Sequence, residues 1–387
     1  MSTLHEKRKS WIKKLTEAIS WALLTVACSF LLLAGLFAYY TGSPTGFIKF
    51  FRTLHLVETN YPGAVDKQEL LNGALEGIVS KLGDKHSIYL DGDDFQAFSD
   101  ETSGSYAGVG VYIGTSDDGV LVAGVMDDSP AQAAGLQRGD LILAVDGKPT
   151  QGMPLEDVSK AVRGPEGTSV TLTIGRDGTT QDYTIERKKI KIQTVAGHMV
   201  EGTNIGYIRV AVFSENTGEE FTKEFQRLKG EGMQKMILDL RNNPGGLVDQ
   251  AVAVCNNFVP PDSVIVSFTS RSGEESEYKA DGTDERIPMV VLINGNSASA
   301  SEIVAGCIQD LKLGTIVGTK SYGKGTVQGV YPLDKAGALK LTVAKYKTTN
   351  GREIDGVGIV PDVEVNLEPN DTTDLQYQKA LEILENK

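Results

Sequence analysis

From Ile19 to Tyr40 the chain reads ISWALLTVACSFLLLAGLFAYY, without one charged residue. A helix rises ~1.5 Å per residue, so a run of this length crosses the ~30 Å hydrocarbon core of a bilayer. Trp21 stands near one end and Tyr39–Tyr40 at the other, where aromatic rings favour the membrane–water boundary. Residues 1–18 form a basic tail, with Lys7, Arg8, Lys9, Lys13 and Lys14 against Glu6 and Glu17. Positive charge stays in the cytoplasm, which predicts a single-pass protein of the cell membrane with everything after Tyr40 extracytoplasmic. A cleaved signal peptide would have an apolar core of ~7–15 residues and a small-x-small site. The run here ends in AYYTGS, which lacks that pattern, so residues 19–40 read as a retained anchor. Cys28 does not mark a lipoprotein, because the apolar run continues past it.

The 387 residues suffice for two or three further domains. A formal net charge of −13, from 38 Lys+Arg against 51 Asp+Glu, argues against nucleic acid as a partner, which needs a basic surface. Three cysteines without CxxC spacing give neither a disulfide framework nor a metal cluster. Cys255 and Cys307 sit in apolar stretches and read as small buried hydrophobes, although an oxidising compartment would let them pair.

Residues 41–102 read as mainly helical, a linker that could also support a homodimer. Within it Ala64–Leu82 places Val65, Leu70, Leu71, Leu75, Ile78, Val79 and Leu82 near a helical period. From Ser103 to Lys188 the texture turns glycine-rich, β-branched and alternating, with short strands, two small helices and DDG as a hairpin signal. Residues 189–387 alternate apolar strands with helices, which predicts an α/β layer around a covered sheet. The chain closes on DLQYQKALEILENK, an amphipathic helix with a second potential for dimerisation.

Residues 103–188 resemble a PDZ domain. The resemblance is carried by Ala107–Val111 (AGVGV), by SPA at Ser129–Ala131 with AGL at Ala134–Leu136, and by GDLI and VDG at Gly139–Ile142 and Val145–Gly147. It implies that the backbone N–H groups of Gly108, Val109, Gly110 and Val111 capture a peptide carboxylate, with the peptide added as a strand beside Val109–Ile113. By themselves the two glycines read equally as a tight β turn. Arg163, in VRGPEGT, either senses a substrate carboxylate or is a solvated charge at a helix end.

The chemistry begins at Asn296–Glu302 (NSASASE), directly after the apolar strand MVVLIN and ahead of a helical stretch. A serine on a strand-to-helix turn stands where backbone amides and the helix dipole favour negative charge, as a nucleophile requires. Ser299-x-x-Glu302 also reads as a capping box. The four histidines, His5, His55, His86 and His198, offer no evident base: three precede the PDZ-like region and His198 has no acidic motif around it. Lysine is the other known partner of serine. Lys324 lies between glycines in SYGKGTVQ, and period-two alternation puts Lys324, Thr326 and Gln328 on one face. As a base it must be neutral, its pKa lowered from ~10.4 towards ~7–8 by burial. A surface hairpin lysine is the competing reading.

SASASE followed by GKGTVQ is similar to the carboxyl-terminal processing (tail-specific) proteases, serine–lysine peptidases with an inserted PDZ domain. Two further motifs of that family stand as DLRNNPGG at Asp239–Gly246 and GREIDGVGIVPD at Gly351–Asp362. The resemblance implies Ser299 as nucleophile, Lys324 as general base and Gln328 as the group orienting the lysine. It implies an oxyanion hole from the Ala300 amide with that of Gly245 or Gly246, and neither metal nor cofactor. The implied fold is an α/β peptidase core with crotonase-like βαβ layers and an inserted β-rich PDZ domain, preceded by a helical segment and one transmembrane helix. The implied substrates are exported or membrane proteins taken by their C-terminal tails. A catalytically inactive PDZ-type adaptor is the alternative function.

Overall fold

The computed structural model describes residues 2–116, 118–334, 337–367 and 373–386. The chain divides into two units, Met1–Ile78 and Val79–Lys387.

In the first unit one helix, Ser2–Thr41, absorbs both the basic tail and the apolar run. Its stretch Lys13–Thr41 is long and apolar enough to cross a membrane, and none of it is buried in protein. The helix stops at Gly42, whose φ of 65° is left-handed. A second helix, Gly46–Asn60, follows, and Phe47 meets Phe30 and Phe37 edge-on at 5.4 and 5.7 Å between centroids. The third, Lys67–Ser80, is capped by Asp66, whose carboxylate accepts from the Gln68 and Glu69 amides.

In the second unit the α/β block is built on a six-stranded sheet in the order Val195–Met199, Ile205–Val210, Lys235–Asp239, Met289–Ile293, Gly314–Gly318, Val363–Glu364. Its first pair is antiparallel and the rest are parallel. Met289–Ile293 is buried at every residue, as a central strand covered on both faces must be. Alternation sorts its side chains: Met289, Val291 and Ile293 join a core with helices Thr217–Gly230, Val248–Cys255 and Ala300–Asp310, whereas Val290 and Leu292 meet the C-terminal helix Leu375–Glu385. That last helix buries Gln376, Ala380 and Leu384 under this sheet. Cys255 and Cys307 are both buried, and both are free thiols.

A second sheet is antiparallel: Ile88–Asp91, Gly337–Thr348, Val264–Ser270 and Glu275–Lys279 in order, with Thr326–Pro332 also paired to Gly337–Thr348. Ile88–Asp91 therefore lies in the α/β block although the surrounding sequence reads as helical; four residues are too few to display a period. The helix Gly92–Ser103 then leads to the paired strands Ser105–Gly108 and Lys188–Lys191. Between them Val111–Ser116, Gly119–Val125, Leu141–Val145, Ser169–Arg176 and Thr179–Glu186 form a sheet with its own core of Val122, Ile142, Val158, Val170 and Leu172. Arg187 seals the base of this domain, donating from its buried guanidinium to the Val162, Ala161 and Ser169 carbonyls.

Candidate active site

Ser299 stands where the strand Met289–Ile293 has ended and the helix Ala300–Asp310 begins. Its φ of 54° with ψ of −112° is strained for a residue with a Cβ, and such strain persists only where neighbours over-determine it. The neighbours are plain. The Glu302 carboxylate, 1% exposed, accepts from the Ser299 amide at 2.8 Å. The same carboxylate accepts from the amides of Gly323 (2.7 Å) and Lys324 (2.9 Å) and from the Ser321 hydroxyl (2.5 Å). Four donors thus converge on the two oxygens of one buried side chain. Glu302 therefore does more than cap a helix: it clamps the serine turn to the lysine loop. Tyr346 makes the second clamp, its buried hydroxyl placed on the Ser299 carbonyl at 3.1 Å and the Lys324 carbonyl at 2.5 Å.

Lys324 is half-buried and shares a cavity of about 600 Å³ with Ser299, Gly245, Gly246, Thr326 and Gln328. Its pKa falls to about 8, first because burial penalises the ammonium and then because Lys340 is charged nearby; Glu302, Asp84 and Glu101 pull the other way. A register shift between Val327 and Gln328 breaks the simple alternation, and Val327 lines the cavity along with its two neighbours. The Gln328 amide nitrogen lies 3.0 Å from the Thr326 hydroxyl and 3.2 Å from the Thr342 hydroxyl, which leaves its carbonyl oxygen as the acceptor for another donor. Among the described residues no hydrogen bond joins Ser299 Oγ to Lys324 Nζ; such bonds are often long until substrate closes the site.

The Asp239–Gly246 motif wraps the serine turn from the other side. The Asn243 carbonyl accepts from the Ala298 amide at 3.1 Å and the Ser301 hydroxyl at 3.0 Å. Its side chain holds the Val210 carbonyl and accepts from the Gly245 amide at 2.8 Å. That last bond separates the two glycines proposed from sequence: the Gly245 N–H is engaged, whereas those of Gly246 and Ala300 meet no acceptor among the described residues. Gly245 has a different duty. A Cβ there would lie 2.8 Å from Ser299 Cβ and 3.0 Å from the Ala300 amide nitrogen, so only glycine lets the motif come this close. Arg241 pairs with Asp239 at 2.6 Å and reaches Asp374 at 2.8 Å, fixing the motif to the start of the C-terminal helix.

At the second predicted site, Gly108, Val109, Gly110 and Val111 line a small groove with Ile113, Ser159, Val162 and Arg163. The regular strand begins at Val111, slightly later than expected, and is an edge of its sheet. Arg163 lies over the Tyr106 ring at 4.5 Å and 4.0 Å from Asp100 on the helix Gly92–Ser103.

Several neighbours of the lysine were not evident in the sequence. The turn Asp84–Ser87 comes beside it: Asp84 accepts from the Ser87 hydroxyl, which in turn accepts from the Thr342 amide, and Lys85 donates to the Tyr322 hydroxyl. Burial and then the charge of Lys324 lower the pKa of His86, so this histidine is near the site despite its position in the chain. Phe95, Phe98, Glu101 and Lys340 also line the cavity. Only the +3 spacing of Glu302 carried a signal, and it read as a cap.

Comparison with known proteins fits this geometry. Residues 204–365 match Peptidase family S41, 121–176 a PDZ domain and 39–94 the Activating protease CtpB N-terminal domain. A carboxy-terminal-processing protease of Bartonella bacilliformis is 40% identical over 80% of this chain and 72% of its own length. The carboxy-terminal processing protease CtpB of Bacillus subtilis is 33% identical over 82% of this chain and 67% of its own. A solved S41 protease of Bacteroides fragilis superposes with a TM-score of 0.53 at 20% identity, covering 84% of this chain and 92% of its own, a likeness of fold. The chain belongs to the carboxy-terminal processing proteases of peptidase family S41, serine-type peptidases that carry a PDZ domain.

Proposed function

We propose that this chain is a membrane-anchored endopeptidase that takes exported or membrane proteins by their C-terminal tails and cleaves them outside the cytoplasm at a Ser299–Lys324–Gln328 site. The observation that carries the reading is the convergence on Glu302, which ties the backbones of Ser299 and Lys324 to one carboxylate at the edge of one cavity. The apolar stretch Lys13–Thr41 behind its basic tail supports the anchor, and the layered sheet supports a crotonase-like core.

In this mechanism neutral Lys324 removes the Ser299 hydroxyl proton as the oxygen attacks the scissile carbonyl. The Gln328 carbonyl oxygen accepts one lysine N–H and so aims the lone pair at the serine. The tetrahedral oxyanion takes up the two unengaged amides, Gly246 and Ala300, at the N-terminus of the helix Ala300–Asp310. Lys324 then protonates the leaving amine, and water releases the acyl-enzyme. Substrate carboxylates enter through the groove at Gly108–Val111, where Arg163 supplies a full positive charge.

With the base near pH 8, about a tenth of it is neutral at pH 7, so kcat/KM rises with pH through about 8. The test is cleavage of a tailed protein by the full chain, its Ser299→Ala form and its Lys324→Ala form. Both variants bind the tail and neither cuts it. Near-normal cutting by Lys324→Ala overturns the assignment.

A further inference from the structure

A second lysine lies in the reaction cavity. Lys340 sits on the strand Gly337–Thr348, opposite Val330 on one side and Ile88 on the other, and lines the same cavity as Ser299 and Lys324. It is half-buried, with its ammonium 4.8 Å from the centre of the Phe98 ring, a position that holds a cation by the ring's negative face. Among the described residues no carboxylate lies within salt-bridge distance of it, although Glu101 lines the same space.

We propose that Lys340 is a positioning residue for the reaction: its ammonium, held against Phe98 within the cavity, favours the uncharged form of the Lys324 amine. The inference rests on the Ser299–Lys324 reading above.

The charges around Lys324 can be counted by element. Glu302 on the serine helix, Asp84 on the turn before Ile88 and Glu101 on the helix Gly92–Ser103 favour a charged lysine. Asp355, which accepts from the Gly325 amide, adds to the anions around this loop and pairs with Lys345 on the outside. His86 and Lys85 come from the same turn as Asp84, and Lys85 is occupied with Tyr322. Glu302, Asp84 and Glu101 thus raise the Lys324 pKa, against burial, which lowers it most. Lys340 is the cation that opposes them from within the cavity, and its effect is greater because burial removes the water that would screen it. Burial lowers the pKa of Lys340 as well, and Glu101 opposes that shift. Like charges that share a desolvated site titrate apart: one stays protonated so that the other need not.

The experiment measures the rate at which a diaryl phosphonate modifies Ser299 between pH 6 and pH 10, so that no substrate contact enters. It uses the full chain, Lys340→Met, Lys340→Arg and Lys324→Ala. Lys340→Met keeps the aliphatic stem on Phe98 and removes only the charge; its acid limb moves up by about half to one pH unit. Lys340→Arg restores the limb to the wild-type position. A limb that stays in place in Lys340→Met, or one that moves equally in Lys340→Arg, overturns the role of the Lys340 charge while leaving the Ser299–Lys324 reading intact. Undiminished labelling of Lys324→Ala overturns that underlying reading instead.

Discussion

The proposed function uses backbone amides for a negatively charged oxygen at two places, and they are built differently. At the PDZ groove Gly108–Val111 are lined up beside Arg163, a half-exposed cation 4.0 Å from Asp100, which the proposal above makes the partner of an incoming carboxylate. At the serine turn the amides of Gly246 and Ala300 meet no acceptor among the described residues. There the surroundings are immobilised instead, by Asn243 under one side and Glu302 under the other. A carboxylate is a stable ion that arrives with its charge, so a mobile partner in high dielectric serves to catch it. An oxyanion exists only in passing, and amides already in place stabilise it without reorganising at the moment of reaction.

If that contrast holds, damage to the rigid site costs far more than damage to the mobile one. The largest loss is expected for Gly246→Ala. Its φ of 134° is hostile to a Cβ, which would also lie 2.1 Å from the Phe213 carbonyl oxygen. Displacing one oxyanion donor lowers kcat on the order of 10²–10³-fold, read from steady-state cleavage with folding followed in parallel by circular dichroism. Glu302→Gln comes next. An amide has one acceptor oxygen where the carboxylate has two, so one pair of donors now faces an NH₂ group. The expected drop in kcat is roughly 10–100-fold, with positions rather than charge at fault. The acid limb should nevertheless move down, because the Glu302 charge raises the Lys324 pKa. An unchanged kcat would show that the clamp is ornamental.

At the mobile site the expected effect is smaller and of another kind. Arg163→Ala should raise KM for peptides with a free C-terminus by up to about tenfold and leave amidated peptides unaffected. Equal losses for both peptides would remove Arg163 from carboxylate recognition. The smallest effect belongs to Tyr346→Phe, which removes one hydroxyl from two carbonyls. It should cost about 1–2 kcal/mol of stability, visible as a fall of a few degrees in Tm, with a modest loss of activity.

Much of this site was legible residue by residue because turns write themselves locally. Ser299 falls between an apolar strand and a helical stretch, and Gly323 and Gly325 flank Lys324; each pattern is complete within a few positions. The PDZ turns are legible for the same reason. Less was legible where a long-range partner decides. The alternation Lys324–Thr326–Gln328 predicted a common face, but the strand is irregular at Val327, a distortion imposed by its pairing with Gly337–Thr348. Ile88–Asp91 is too short to announce itself and exists as a strand through the same partner. Gly245 and Gly246 are equivalent in sequence and become distinct only because Asn243 turns its side chain onto one of them.

The sequence alone determined a serine on a strand-to-helix turn and a lysine between two glycines beyond an apolar span, the residues on which the proposed chemistry rests, because local backbone geometry and periodicity are properties of neighbouring residues. Tertiary structure decided how that chemistry is tuned. The Asp84 turn, Phe98 and Glu101, the Glu302 carboxylate and Lys340 come from four segments, and these four charges and a ring come together around the lysine only once the sheets have formed. Electrostatic free energy depends on distance in space and on the water excluded between charges, and neither quantity is written in the order of the residues.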